Sequence, residues 1–218
     1  RFGFESSYPV LLAAFREWDK KKASRLLVKM AKWTVRAQFM GRLGTGTAED
    51  GFATAAAGIA DGSIKNQTEV RRTLHRLIPT DGEFRIAFES AGKLTTARAK
   101  YVLAMLEKAA DAKAGRPERP LDWASAAVTI EHIMPLAAGG TDEALTLAIN
   151  EIGNLALLEK RLNHQLGKAP YATKEAVYAT SEFALTKNLA GRPSWNVEQI
   201  TQRTRDLSAL ACVAWPSN

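Results

Sequence analysis

Ala127-Val128-Thr129-Ile130-Glu131-His132-Ile133-Met134-Pro135 is the stretch that decides the fold class. Its β-branched residues predict a strand, and Pro135 ends it, because proline brings no N–H to a ladder. The strand delivers an adjacent carboxylate and imidazole, Glu131 and His132, at its end. A turn-rich segment follows, with Gly139-Gly140 and a helical piece opened by Thr141 and running to Asn150. Gly153-Asn154-Leu155-Ala156-Leu157-Leu158 predicts a second short strand. Glu159 to Gln165 predicts a short helix that carries Asn163 and stops at Gly167. Strand, long loop, strand, helix marks an α+β module inside a chain that elsewhere reads as helix.

Downstream, Ser181 to Ala190 reads as a helix closed by Gly191. Asn196-x-x-Gln199 then caps a last helix whose apolar side is Val197, Ile200, Leu207, Leu210 and Ala214. Trp195 and Trp215 bracket it and read as core, and Arg203 and Arg205 as facing solvent or a polyanion. Upstream, Tyr8 to Trp18, Ala23 to Met40 and Thr95 to Ala110 repeat apolar residues at helical spacing. The second of these sets Leu26, Leu27, Met30, Trp33 and Ala37 against a basic stripe of Lys20, Lys21, Lys22, Arg25, Lys29, Lys32 and Arg36. Thr47 is the expected cap of the next helix. Asn66-x-x-Glu69 is a capping box for a helix running to Pro79. His75 reads as a surface or packing residue. Tyr101, Leu103, Met105 and Leu106 are the expected core of the 95–110 helix. Ala114-Gly115-Arg116-Pro117-Glu118-Arg119-Pro120 has no periodicity and is the best internal boundary.

The expected architecture is therefore α+β and predominantly helical: a basic helical domain over 1–120, then the strand-bearing module with its C-terminal helices over 121–218. Charge divides along the same line. Residues 1–120 hold 22 Lys and Arg against 13 Asp and Glu, and residues 121–218 hold 8 against 10. A basic part attracts polyanions, and the other part gathers carboxylates and amides. The single cysteine, Cys212, excludes an internal disulfide and reads as a small buried hydrophobe. No apolar run reaches the ~18 residues that span a bilayer. The opening Arg1-Phe2-Gly3-Phe4-Glu5 lacks the pattern of a secretion signal, so the expected location is cytoplasmic. It also lacks a methionine, which reads as a piece of a longer chain.

The ordered set Ile130-Glu131-His132-Ile133-Met134-Pro135, Ile152-Gly153-Asn154-Leu155-Ala156-Leu157-Leu158, Asn163, and Pro170-Tyr171 with Lys174 resembles the HNH, or ββα-metal, nuclease motif. It is more closely similar to the C-terminal nuclease domain of GmrSD-type restriction endonucleases. Ser181, Trp195, Ile200, Arg203 and Trp215-Pro216 resemble that family's helical tail. The resemblance implies a metal-dependent DNA endonuclease of bacterial defence against phage, acting on double-stranded phage or plasmid DNA. It implies a sensor domain, N-terminal to this piece and covalently linked to it. It also implies that Asn154 spans the loop by hydrogen bonds and orients His132.

The residues suit that chemistry on their own terms. Hydrolysis of a phosphodiester needs a base for the attacking water and neutralisation of charge at the phosphate. An unperturbed histidine, with a pKa of about 6.5, is largely neutral at physiological pH, so His132 is the natural base. Glu131 and Asn163 supply oxygen ligands that favour Mg²⁺, with Mn²⁺ as a substitute. Lys160, Arg161, Lys168 and Lys174, on and after the short helix, are the candidate contacts to flanking phosphates. His164 competes with Asn163 as ligand, but adjacent helix residues point about 100° apart, and the family's pattern favours Asn163. Many HNH nucleases carry Asp at the position of Glu131 and His at that of Asn163; the GmrSD-type branch accommodates both. A single site of this kind cuts one strand, so nicking is expected, leaving 5′-phosphate and 3′-hydroxyl ends. The rival readings are an inactive or regulatory nucleic-acid-binding module, a helical domain that meets an acidic protein, and RNA as substrate.

Overall fold

A computed structural model describes residues 4–117 and 120–218. Arg1-Phe2-Gly3 of the expected signal-free opening and Glu118-Arg119 of the expected boundary lie outside the described residues. Contacts divide the chain into two units, Arg1–Phe88 with Trp215–Asn218, and Glu89–Ala214. The proline-rich stretch at 114–120 falls within the second unit.

The first unit is helical: α1 Tyr8–Glu17, α2 Lys20–Phe39, α3 Gly46–Ala60, α4 Gln67–Thr73 and most of α5 Asp81–Glu89. Asp19 starts α2 three residues before Ala23, because its side chain accepts the Lys22 N–H. Thr45 rather than Thr47 caps α3: its backbone is extended and its hydroxyl accepts the Ala48 N–H. Asn66 caps α4 as expected and accepts the Glu69 N–H. That helix ends at Thr73, well short of Pro79. His75 is exposed. Leu26, Met30, Trp33 and Ala37 of α2 pack with Phe52 and Ile59 of α3 in one core. The basic stripe holds for Lys20, Lys21 and Arg25, which are exposed. Arg36 departs from it. It is fully buried, donates to the carbonyls of Trp215 and Pro79 and to Asp81, and stacks over Phe84. A guanidinium supplies several donors in a fixed fork; here both terminal nitrogens find acceptors, at Pro79, Asp81 and Trp215, while Nε has none among the described residues.

The second unit holds α6 Thr96–Lys113, β1 Val128–His132, α7 Glu143–Ile149, β2 Leu155–Glu159, α8 Lys160–Leu166, α9 Tyr171–Tyr178, α10 Ala184–Lys187 and α11 Val197–Ala214. Leu103 and Leu106 of α6 are buried, and Tyr101 and Met105 half-buried. β1 and β2 pair antiparallel from Val128↔Glu159 to His132↔Leu155. Thr129 and Glu131 share one face with their partners Leu158 and Ala156; Ile130 and His132 share the other. A lone two-stranded ribbon is marginal in water, and here helices cover it. Ala156 and Leu158 pack with Leu162, Leu166, Tyr171, Tyr178, Trp195 and Ile200. Among the described residues, then, the chain is mostly helical with a small two-stranded sheet.

Local departures from expectation have local causes. Asp142, not Thr141, caps α7, through the Leu145 N–H. The helix expected over 181–190 shrinks to α10, because Ser181 takes the Phe183 N–H and Glu159 takes the Glu182 N–H. The last helix keeps its capping box: Asn196 accepts the Gln199 N–H, and Gln199 accepts the Asn196 N–H. Val197 is exposed, and Cys212 and Leu210 are half-buried rather than core. Trp195 and Trp215 are buried.

Gly153, at the entrance to β2, fixes how closely α11 approaches. A Cβ there would collide with the Ile200 carbonyl and the Thr204 hydroxyl. The first obstacle is backbone, so it cannot rotate away. Gly153→Ala should destabilise by about 1–3 kcal/mol through overpacking, read as a lowered melting temperature. An unchanged melt would contradict the packing described.

Candidate active site

The end of β1 and the start of β2 bring Glu131, His132 and Asn154 near one another, while Asn163 meets β1 at Thr129 and Ile130. Asn154 is 0% exposed and spends both ends of its amide on the loop between the strands. Oδ1 accepts the Met134 N–H at 2.8 Å, and Nδ2 donates to the Met134 carbonyl and the Ile149 carbonyl, each at 2.9 Å. The Asn154 carbonyl accepts the Ile133 N–H at 3.0 Å. Asn154 therefore clamps the chain immediately after His132 to the far end of α7. Its contact with the histidine is indirect, through residues 133 and 134.

Two residues of the C-terminal segment hold that clamp from behind. Trp195 donates its indole N–H to Asn154 Oδ1 at 3.1 Å. Arg203 donates from Nη1 to the carbonyls of Gly153 and Leu155, both at 2.7 Å. Arg203 is buried, which corrects the expectation that it faces solvent or a polyanion. Burial pushes its pKa down to about 10, so it remains charged at neutral pH. Arg205 is exposed.

His132 ends β1 half-buried. Burial, then the positive charges of Lys174 and Lys93, lower its pKa below the ordinary 6.5. The shift favours the neutral imidazole. Glu131 points to the opposite side of the strand and is 3% exposed. Its Oε1 pairs with the Lys174 ammonium at 2.5 Å and accepts the Tyr178 hydroxyl at 3.0 Å. Lys174 also donates to the carbonyls of His132 at 2.7 Å and Ile133 at 3.3 Å. Burial and the Glu131 charge raise the Tyr178 pKa far above the tyrosine range, so it stays a neutral donor.

Asn163, on α8, donates Nδ2 to the Thr129 hydroxyl at 2.8 Å and the Ile130 carbonyl at 3.1 Å. That pins the amide against β1 and leaves Oδ1 as its remaining ligand atom. Thr129 and Glu131 share a strand face, so Asn163 and Glu131 approach β1 from the same side. Among the described residues no group of three His, Cys, Asp or Glu is placed to hold a metal ion. The candidate donors are instead one carboxylate oxygen, Glu131 Oε2, and one amide oxygen, Asn163 Oδ1. A donor set of oxygens alone, with no thiolate or imidazole, suits Mg²⁺ or Mn²⁺ better than zinc. His164 is exposed, apart from these contacts.

The four basic candidates separate. Lys160, Arg161 and Lys168 are exposed. Lys160, Arg161 and His164 line an open groove of about 840 Å³ at the Val128 end of β1, with Glu159, Glu182 and Phe183. Lys174 is 1% exposed and committed to internal acceptors, so the expectation that it binds a phosphate does not fit its place. The sequence held a signal for this. Tyr171, Lys174 and Tyr178 lie at i, i+3 and i+7, so the lysine sits on the apolar stripe of α9 and needs a buried partner. Arg203 carried the same signal, at i+3 between Ile200 and Leu207 on the apolar side of the last helix; the hydrogen bonds of Tyr178 and Trp195 had none.

Residues 78–210, more than half of the chain, match the family model described as GmrSD restriction endonucleases, C-terminal domain. No curated protein matches the sequence.

Proposed function

Because this chain belongs to the family of C-terminal domains of GmrSD restriction endonucleases, we propose that it is the catalytic module of a metal-dependent DNA endonuclease of HNH type, serving restriction or phage defence. The observation that carries this reading is the clamp of Asn154 on Met134 and Ile149, which fixes the end of β1 where a neutral His132 stands half-exposed. In this reading His132 takes a proton from the attacking water. Lys160, Arg161 and Lys168 steer and hold the phosphate backbone, whose contacts are electrostatic and weaken with salt. Glu131 Oε2 and Asn163 Oδ1 would hold Mg²⁺, or Mn²⁺ in its place. When bound, such an ion neutralises charge on the phosphate and the departing oxygen. The domain boundary at 120, the cytoplasmic location and the linked N-terminal sensor belong to the same proposal.

One active site cuts one strand, so supercoiled plasmid should become open-circular. Attack by water with departure of the 3′ oxygen leaves a 5′-phosphate and a 3′-hydroxyl. DNA ligase should therefore reseal the product without prior treatment. A product that ligase seals only after end repair would rule out this bond cleavage. Chelation with EDTA should abolish nicking, and Mg²⁺ or Mn²⁺ in excess should restore it. Nicking that persists in EDTA would rule out the metal.

The rate should also report the lowered His132 pKa. Protonation removes the base, so activity falls as pH drops through that pKa. Since the pKa lies below 6.5, the acid limb of single-turnover cleavage should lie below 6.5 as well. A limb at or above that value would show that another group titrates.

A further inference from the structure

Lys174 fills a cage of three oxygens: Glu131 Oε1, the His132 carbonyl and the Ile133 carbonyl. An ammonium has three N–H groups, and each has an acceptor there. The side chain is 1% exposed, and α9 and β1 meet through it. Glu131, the carboxylate assigned to the divalent cation, is thus already neutralised by a buried positive charge that belongs to the chain. One oxygen is committed inward, and Tyr178 donates to that same oxygen.

From this arrangement we infer that Lys174 is a positioning residue that sets how strongly the site holds its divalent cation. The inference rests on the assignment of Glu131 and Asn163 as the cation's ligands. Lys174 acts in two ways. It fixes Glu131 and the main chain of His132 and Ile133, so the carboxylate presents one oxygen only. It also places a unit positive charge beside the cation's site, where low polarity leaves repulsion poorly screened. The result is a weakly held ion. Removing Lys174 would leave Glu131 buried with no counter-charge, and a divalent ion would then stabilise the fold itself.

The test uses the full chain and Mn²⁺ alone, without DNA. Affinity is measured by calorimetry or electron paramagnetic resonance, and folding by circular dichroism and thermal melting. Wild type should bind Mn²⁺, and Asn163→Ala should weaken binding. Lys174→Met should bind about tenfold more tightly than wild type, as loss of a nearby positive charge requires. Its melting temperature should rise more on adding Mn²⁺ than that of wild type. Tyr178→Phe removes a neutral donor from the same oxygen and should leave affinity within about twofold.

A folded Lys174→Met that binds Mn²⁺ no more tightly than wild type overturns the inference and spares the site assignment. Failure of wild type to bind, or binding indifferent to Asn163→Ala, overturns the site assignment and the inference with it. If Lys174→Met does not fold, wild type decides. The caged Lys174 ammonium should exchange slowly and be visible by ¹⁵N NMR. Saturation with Mg²⁺ should shift that resonance, and a resonance that stays put overturns the inference.

Discussion

Replacing His132 with alanine should slow plasmid nicking by about 10²–10⁴-fold, the range expected for loss of a general base. His132 ends β1, its carbonyl is held by Lys174, and the next two residues are held by Asn154. The backbone at this point is fixed from both sides, so the imidazole keeps its position without a bond of its own to Asn154. Its ring is half-buried, so truncation should cost the fold about 1 kcal/mol or less. The variant should therefore melt within a few degrees of wild type and still shift DNA in a gel. Loss of cutting together with loss of folding would not support the assignment; loss of cutting with the fold and DNA binding intact would.

Asn154→Ala should have the largest effect on stability. The amide makes four hydrogen bonds in a site of 0% exposure, to Met134 twice, to Ile149 and from Trp195. Alanine leaves two donors and two acceptors stranded away from water, and each such group costs about 1–3 kcal/mol. They relax together, so a total of about 3–5 kcal/mol is expected. At about 2–4 °C per kcal/mol for a domain of this size, the melt should fall by roughly 6–20 °C. Asn154→Asp keeps the oxygen that accepts from Met134 and Trp195 but loses both donors, so it should fall in between. Calorimetry of the three proteins checks the order. An Asn154→Ala that melts within about 1 °C of wild type would mean the clamp contributes little.

The strand-loop-strand-helix order was legible because each element carries its own local signal. β-branched residues and Pro135 mark β1, Gly167 with φ of 54° ends α8, and Asn196 with Gln199 opens α11. Boundaries slipped where neighbouring residues offered equivalent caps, as at Thr45 against Thr47 and Asp142 against Thr141. What stayed illegible was the fate of long basic side chains. Arg36, Lys174 and Arg203 sit in sequence among residues that resemble a surface, yet each is buried on carbonyls or carboxylates far along the chain. Those partners are set by tertiary packing, which periodicity does not encode. Lys174 and Arg203 each lay on an apolar stripe that could have marked them, between Tyr171 and Tyr178 and between Ile200 and Leu207. The candidate site was legible as a set of residue types. Its electrostatics, with Glu131 already paired and His132 made less basic by burial and then by Lys174 and Lys93, depended on the fold.

The most direct test of the nuclease assignment is a side-by-side assay of supercoiled plasmid. Wild type and His132→Ala are compared at equal concentration in Mg²⁺, in Mn²⁺ and in EDTA. Wild type should give open-circular product in either metal and none in EDTA, and His132→Ala none above background. Equal cutting by both proteins would contradict the assignment of His132. DNA binding without cutting by wild type in both metals would contradict the nuclease reading of this chain and favour a binding module.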